Sequence, residues 1–235
     1  MKIVLQKFIV ESGYCSRRKA GELIKEGKVF VNEKVAELGM KVSEEDKVKI
    51  SGNEIRPLKE KIYIKLNKPA GYTCTARKFS GEKNIFSLVD IKERLFVVGR
   101  LDKNSRGLIL LTNDGDLTQK ITHPSFKHKK EYIVKIKNDN ISQKIKKDDL
   151  IKVFKQGVDI GEGDGVVKAH DIFYIEGNKF KIILTEGKKR QIRRMFETVD
   201  IKVEDLLRVS IGKLKLGSLP EGEWQLIDKK EVSLD

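Results

Sequence analysis

Val98-Gly99-Arg100-Leu101-Asp102-Lys103-Asn104-Ser105-Arg106-Gly107-Leu108-Ile109-Leu110-Leu111-Thr112-Asn113-Asp114-Gly115 is the most informative run in the chain. One carboxylate, Asp102, stands between two apolar segments of strand character, Leu95–Val98 and Gly107–Leu111, with Arg100, Lys103 and Arg106 within a few residues. Neighbouring cations favour the ionised form of a carboxyl group and offset the cost of its partial burial. An ionised carboxylate held where water is scarce can act as a nucleophile or as a base. The residues alone equally allow a polar hairpin loop whose charges pair with one another. Beyond the second strand, Asn113-Asp114-Gly115-Asp116 reads as a turn whose last residue caps a helix before Leu117, in preference to a cation site.

Working outward, further strands are expected at Lys61–Leu66, Tyr132–Ile136, Phe180–Leu184 and Ser210–Leu216, and helices at Asp116–Thr122, Ile141–Phe154 and Arg190–Thr198. Strands outnumber helices and do not alternate with them regularly. The expected class is therefore α+β, with a mixed, mainly antiparallel sheet and flanking helices, over residues 60–235. Ahead of it, residues 1–56 form a small helix-helix-strand unit. Leu5, Phe8 and Ile9 follow helical spacing, and Ser12-Gly13 closes that helix. Ser16 caps a second helix that turns Ala20, Leu23 and Ile24 inward, and Gly27 stops it. Short strands follow at Val29-Phe30-Val31 and Val48-Lys49-Ile50, and Ser51-Gly52-Asn53 with Arg56-Pro57 reads as the linker that ends the unit.

The 235 residues carry 49 Lys and Arg against 35 Asp and Glu, a net charge of +14, and 39% are hydrophobic, enough for a core. No apolar run approaches the ~18 residues of a membrane helix, and no signal peptide is expected at Met1-Lys2-Ile3. Two cysteines, Cys15 and Cys74, make neither a disulfide framework nor a zinc site, so a reducing cytoplasm is the expected location. Lysines are scattered, but Arg17-Arg18, Arg100 with Arg106, and Arg190 with Arg193-Arg194 are clustered. Guanidinium clusters suit phosphate contacts, and the basic balance makes nucleic acid the first partner to consider. In the second helix Arg17, Arg18, Lys19, Lys25 and Lys28 face only Glu22 and Glu26, and cations at a helix start oppose its dipole. Gly161-Glu162-Gly163-Asp164-Gly165 is a hairpin turn, since its acids would repel a phosphate, and His123, His128 and His170 lack metal-ligand spacing.

The segment Phe8-Ile9, Ser12-Gly13-Tyr14-Cys15-Ser16-Arg17-Arg18, Ala20, Ile24, Gly27 and Val29-Phe30-Val31-Asn32 resembles the RNA-binding module first seen in ribosomal protein S-four. Gly99-Arg100-Leu101-Asp102, Gly107-Leu108 and Leu111-Thr112-Asn113-Asp114-Gly115 resemble the central motif of RNA pseudouridine synthases. Asn67-Lys68-Pro69-Ala70-Gly71 is similar to their first motif and Lys130-Glu131-Tyr132-Ile133-Val134 to their tyrosine-bearing strand. Glu186-Gly187-Lys188-Lys189-Arg190-Gln191-Ile192-Arg193-Arg194-Met195-Phe196 is similar to their third. Within the family the chain resembles the bacterial ribosomal RNA enzymes of the RsuA, RluB, RluE and RluF group. Gly222-Glu223-Trp224 and Leu101-Asp102-Lys103-Asn104-Ser105 look most like the RluF type; Ser105 departs from the threonine of many wider relatives.

The resemblance implies isomerisation of a uridine in ribosomal RNA, of the large subunit, without a cofactor or metal. Asp102 would attack the anomeric carbon or remove a sugar proton, Arg193 would pair with Asp102, and Tyr132 would stack on the base and assist proton transfer. Ile211 or Leu214 would pack on the other face of the base. The expected RNA contacts are Arg17, Arg18, Lys19, Lys25, Lys28, Lys68, Arg100, Arg106, Arg190 and Arg194. Arg190 and Arg194, four apart, would share an outer helix face while Arg193 points inward. The expected partner is ribosomal RNA or a ribosome assembly intermediate, met by a monomer. The alternatives are small-subunit ribosomal RNA or transfer RNA as substrate, or a non-catalytic RNA- or ribosome-binding protein of the same fold. An aspartyl phosphotransferase is weaker, because no phosphate cradle accompanies Asp102.

Overall fold

The computed structural model describes residues 2–75, 80–137 and 145–232. The chain divides into two compact units: residues 1–62 with Ile91–Phe96 and Thr112–Asp116, and the remainder.

In the first unit, helices α1 (Leu5–Glu11) and α2 (Arg17–Lys25) meet through a left-handed Gly13. The Ser16 side chain accepts the Lys19 amide, which is why α2 starts there. Strands β1 (Ile3–Val4) and β4 (Lys41–Val42) pair, while β3 (Lys34–Val35), β2 (Val29–Val31), β5 (Val48–Ile50) and β6 (Asn53–Ile55) form an antiparallel sheet in that order. Leu5, Phe8, Ile9, Ala20, Leu23, Ile24, Val29 and Ile50 close a core between helices and sheet. Ser51-Gly52 is thus a hairpin turn, not a linker. Both residues have positive φ, and Asn53–Ile55 continues the sheet. The Asn113 side chain bonds the Ile62 amide (2.9 Å) and the Glu60 carbonyl (3.0 Å), and Asp116 pairs with Lys7 at 2.6 Å. The Asn113–Asp116 turn therefore anchors the chain at residues 60–62, and Asp116 lies inside the helix it was expected to cap.

The second unit is built on one large mixed sheet. Its strands are β7 (Tyr63–Lys68), β8 (Phe96–Val98), β9 (Arg106–Thr112), β10 (Lys130–Ile136), β13 (Asp171–Glu176), β14 (Lys179–Leu184), β15 (Val203–Ile211), β16 (Leu214–Lys215) and β17 (Trp224–Leu226). The order is β13-β14-β10-β15-β9-β7-β17, with β16 on β15 and β8 on β9. β9 runs parallel to β15; β10, β13, β14, β15 and β16 pair antiparallel, as do β7 and β17. β9 is buried along nearly its whole length, as its unbroken apolar run requires of a central strand. β10 and β14 instead alternate, sending Tyr132, Val134, Ile136 and Phe180, Ile182, Leu184 inward. Helices α3 (Gly115–Thr122), α4 (Lys147–Gln156) and α5 (Gln191–Glu197) flank the sheet; Phe154 of α4 meets Phe196 of α5 edge-on with centroids 5.0 Å apart. The short pair β11 (Val158–Asp159) and β12 (Val166–Val167) flanks the expected glycine-rich turn.

Three expected elements differ in detail. Ser210–Leu216 is a hairpin rather than one strand, because Gly212 turns with φ 54° between β15 and β16. The helix expected over Ile141–Phe154 runs Lys147–Gln156, and residues 141–144 lie outside the described residues. The helix expected from Arg190 begins at Gln191, because Arg190 itself is left-handed (φ 51°). Among the described residues no helix is long and apolar enough to cross a membrane.

Candidate active site

The loop between β8 and β9 turns at Gly99 (φ 71°), and the Ser105 amide donates to the Asp102 carbonyl at 3.0 Å. Three buried cations from three elements then clamp its backbone. Lys68, at the end of β7, donates to the carbonyls of Pro69 (2.9 Å), Lys103 (3.1 Å) and Ser105 (2.5 Å). Arg193 of α5 reaches the carbonyls of Asn104 (3.3 Å) and Val203 (2.9 Å). Arg208 of β15 reaches those of Leu108 (2.8 Å) and Arg100 (3.4 Å). Hydrogen bonds from charged donors are the stronger kind, so the loop is held in one shape. β15 also fixes where β9 begins. Gly107 lies opposite Arg208 with φ 105°, and a Cβ there would collide with the Arg208 backbone oxygen and nitrogen.

Two expectations change. Lys68 is fully buried, so it binds the loop that carries Asp102 instead of RNA phosphate. Burial pushes its ammonium pKa down, opposed by the nearby Cys74 and Asp102. Arg193 does point inward, but no direct ion pair joins it to Asp102; its donors go to carbonyls and its Nε has no partner. Burial, and then Arg190, lower the Arg193 pKa, while Asp102 acts in the opposite direction.

Asp102 lines a cavity of about 390 Å³ together with Ser105, Tyr132, Leu184, Ile192 and Leu206, rimmed by Arg100, Lys188, Lys189 and Arg190. A second cavity of about 400 Å³ shares Arg100, Tyr132, Gly187 and Lys188 with the first and adds His123, His128, Lys130, Arg208 and Ile211. Tyr132 is buried and lies opposite Arg208 in the sheet. Of the two residues expected to pack on the base, Ile211 lines the second cavity, whereas Leu214 belongs to a core cluster and lines neither. Leu206, unsuspected from sequence, lines the cavity that holds both Asp102 and Tyr132. The alternation of Leu206, Arg208 and Ser210 toward the buried face was the available signal. Gln191 is another unsuspected contributor. It accepts the Lys188 amide (3.0 Å) and donates to Glu186 (2.9 Å), shaping the 186–190 rim.

The expected RNA contacts divide. Arg100 and Arg190 are exposed at the cavity rim. Arg17, Arg18, Lys19, Lys25 and Lys28 are exposed on or beside α2, where Lys19 pairs with Glu22 and Lys28 with Glu26. Arg106 is engaged by Asp205 through two bonds (2.8 and 2.7 Å) and by Glu221. Arg194 is buried: it donates to the carbonyls of Ile160, Gly161 and Lys189 and pairs with Asp164 at 2.6 Å. Arg194 thereby ties down the Gly161–Gly165 turn, and it shares no outer face with Arg190, because Arg190 is not helical. Among the described residues no group of His, Cys, Asp or Glu side chains is gathered as a metal site.

Asp102 on its loop, the buried Tyr132 and a cationic rim surround one cavity of about 390 Å³, and the chain as a whole is similar to proteins that modify RNA. The RNA pseudouridylate synthase family model matches residues 62–198 and the S4 domain model residues 5–48. The chain belongs to the RNA pseudouridylate synthase family, with an N-terminal S4 domain. It is 39% identical to the dual-specificity RNA pseudouridine synthase RluF of Escherichia coli (strain K12), over 97% of this chain and 76% of that protein. It is 36% identical to the ribosomal large subunit pseudouridine synthase B of Bacillus subtilis (strain 168), over 97% and 93%. A crystal structure of a pseudouridylate synthase superposes with a TM-score of 0.70 at 27% identity, covering 98% of both chains. The protein is an RNA pseudouridine synthase, as its motifs implied.

Proposed function

We propose that this enzyme isomerises a uridine of ribosomal RNA, in the large subunit, and that Asp102 initiates the reaction. The carrying observation is that Asp102 enters a cavity beside Tyr132 from a loop clamped by three buried cations. The name of the Bacillus subtilis relative supports the substrate. In the reaction the bond from the anomeric carbon to N1 of uracil breaks, the base turns, and a bond from that carbon to C5 forms. The proton leaves C5 and N1 gains one. Asp102 acts on the sugar, by attack or by proton removal. Tyr132 stacks on the base, with its hydroxyl available to the moving proton. Leu206 and Ile211 supply apolar surface on either side of Tyr132. Arg193 acts on Asp102 through the Asn104 carbonyl and through its charge, so it is a positioning residue.

The target base must leave its stack to enter this cavity, and a loop uridine costs least to extrude. The exposed cations of α2 add affinity without chemistry, and Arg100, Lys188, Lys189 and Arg190 take phosphates at the cavity mouth. The enzyme acts as a monomer in the cytoplasm, on ribosomal RNA or an assembly intermediate. Mapping pseudouridines in ribosomal RNA from cells lacking the protein tests the proposal. One uridine should remain unmodified and be restored by the wild-type protein but not by Asp102→Asn. An unchanged large-subunit map would overturn the substrate.

A further inference from the structure

The loop leading into β10 carries features that the isomerisation itself does not use. After α3 the chain makes a single tight turn, Pro124–Phe126, and enters β10 past Lys127, whose φ is 48°. Phe126 is 53% exposed, although a ring of that size is ordinarily drawn into a core. Its ring lies nearly parallel to His128 (10° between planes, centroids 5.9 Å apart) and edge-on to His123 (6.1 Å). His128 is buried, with Nε2 3.0 Å from the Lys120 carbonyl, and His123 Nδ1 lies 2.7 Å from the Ser125 hydroxyl. The phenyl ring is therefore presented on an anchored pair of imidazoles rather than on a loose tip. Both histidines line the second cavity, the one that shares Tyr132 and Arg100 with the cavity of Asp102.

The charge along this stretch of chain has one sign. From Leu117 to Lys130 the chain contains no acid, and Lys120, Lys127 and Lys129 are exposed without a carboxylate partner among the described residues. A protein partner would more readily be met by a broader apolar patch. A single ring among unpaired cations is instead the arrangement that holds single-stranded nucleic acid: the base stacks on the ring and the flanking phosphates sit on the cations. The cavity shared with the reaction centre specifies which nucleotide this can be.

We propose that Phe126 stacks on the base of a nucleotide next to the target uridine, while Lys127 and Lys129 take the phosphates that flank it. The inference rests on the reading of this enzyme as one that extrudes a uridine from ribosomal RNA. It assigns the loop a selecting role, since the enzyme engages two consecutive nucleotides instead of one. Both the aromatic ring and the neighbouring base are then needed for full affinity.

The test uses an RNA fragment carrying the mapped uridine and the inactive Asp102→Asn protein, so that binding is read apart from turnover. Phe126→Ala and Phe126→Leu should weaken binding by about 5- to 150-fold, the factor that ~1–3 kcal/mol of base stacking represents, while Phe126→Tyr binds as the parent does. Thermal melting of the three variants should match the parent, because the ring is exposed. Making one neighbouring nucleotide abasic should cost the parent the same factor and cost Phe126→Ala nothing further. Lys127→Ala and Lys129→Ala should each reduce the salt slope of binding by about 0.7. Equal binding by Leu and Phe, or losses from the variant and the abasic RNA that simply multiply, would overturn the proposal. Wild-type protein that binds this RNA but makes no pseudouridine would refute the assigned substrate and leave the stacking result to stand on its own data.

Discussion

Asp102 and Lys68 belong to the same loop in different ways: one side chain faces the cavity and the other holds the backbone. Asp102→Asn keeps size and shape, so folding and RNA affinity should be nearly unchanged while pseudouridine formation is abolished, as a single-turnover assay with nucleoside analysis would show. Lys68→Met removes the buried donor of the Pro69 and Ser105 carbonyls, whereas the Lys103 carbonyl keeps the Gly71 amide at 2.8 Å. At ~1–3 kcal/mol for each of these two groups left unsatisfied, stability should fall by about 2–6 kcal/mol in urea titration, and kcat should fall with it. RNA affinity should stay near that of the parent, because a buried ammonium meets no phosphate. A variant that lost affinity but kept stability would return Lys68 to the RNA surface. The place of Asp102 on a loop between two strands was legible because its flanking cations and strands are adjacent in sequence. The placement of Lys68 was not, since a lysine beside Pro-Ala-Gly looks alike whether it faces solvent or the loop 35 residues later.

At the scale of elements, local pattern located most strands and the caps of α2, and failed where a distant partner decides. Arg106 reads as a free guanidinium until Asp205, 99 residues on, is brought beside it. Arg190 and Arg194 have the spacing of a shared helix face, yet a left-handed residue at 190 separates them and the hairpin carbonyls capture 194. The hairpin makes a prediction of its own. The Arg194 guanidinium holds the Asp164 carboxyl below its ordinary 3.8. A carboxyl group depressed by folding contributes stability that is present above pH ~3.8 and lost as pH falls through its folded value. Asp164→Asn should therefore lower the melting temperature at pH 7, and the gap from wild type should close in strongly acidic buffer. A gap independent of pH would mean that hairpin shape, not charge, is at stake. Gly107→Ala should be among the most damaging small substitutions in the sheet, because the added carbon meets Arg208 backbone that cannot turn aside. A melting temperature within a degree or two of wild type would show that β9 and β15 can separate.

At the scale of the molecule, the basic surface of α2 is best tested by charge, with the chain left whole. Arg17→Ala, Arg18→Ala and Lys25→Ala combined should reduce the salt dependence of RNA binding by up to about 0.7–0.9 per lost phosphate contact, without altering the single-turnover rate at saturating enzyme. A faster or slower chemical step would tie these cations to the reaction itself. Composition and the N-terminal pattern already announced a separate basic unit. They could not reveal that its compact body also takes in Ile91–Phe96 and Thr112–Asp116, because contacts such as Asn113 with the Ile62 amide and Asp116 with Lys7 join residues 51 and 109 positions apart. That threading bears on heredity as well as on folding. A unit assembled from three stretches of chain, two of them inserted from within the sequence of the other unit, is not a contiguous cassette. A recombination event that exchanged residues 1–62 alone would deliver a module missing two of its own pieces. The apolar core of the unit lies within residues 3–55, so a chimaera given residues 1–62 alone should fold but melt lower than one whose donor supplies all three stretches.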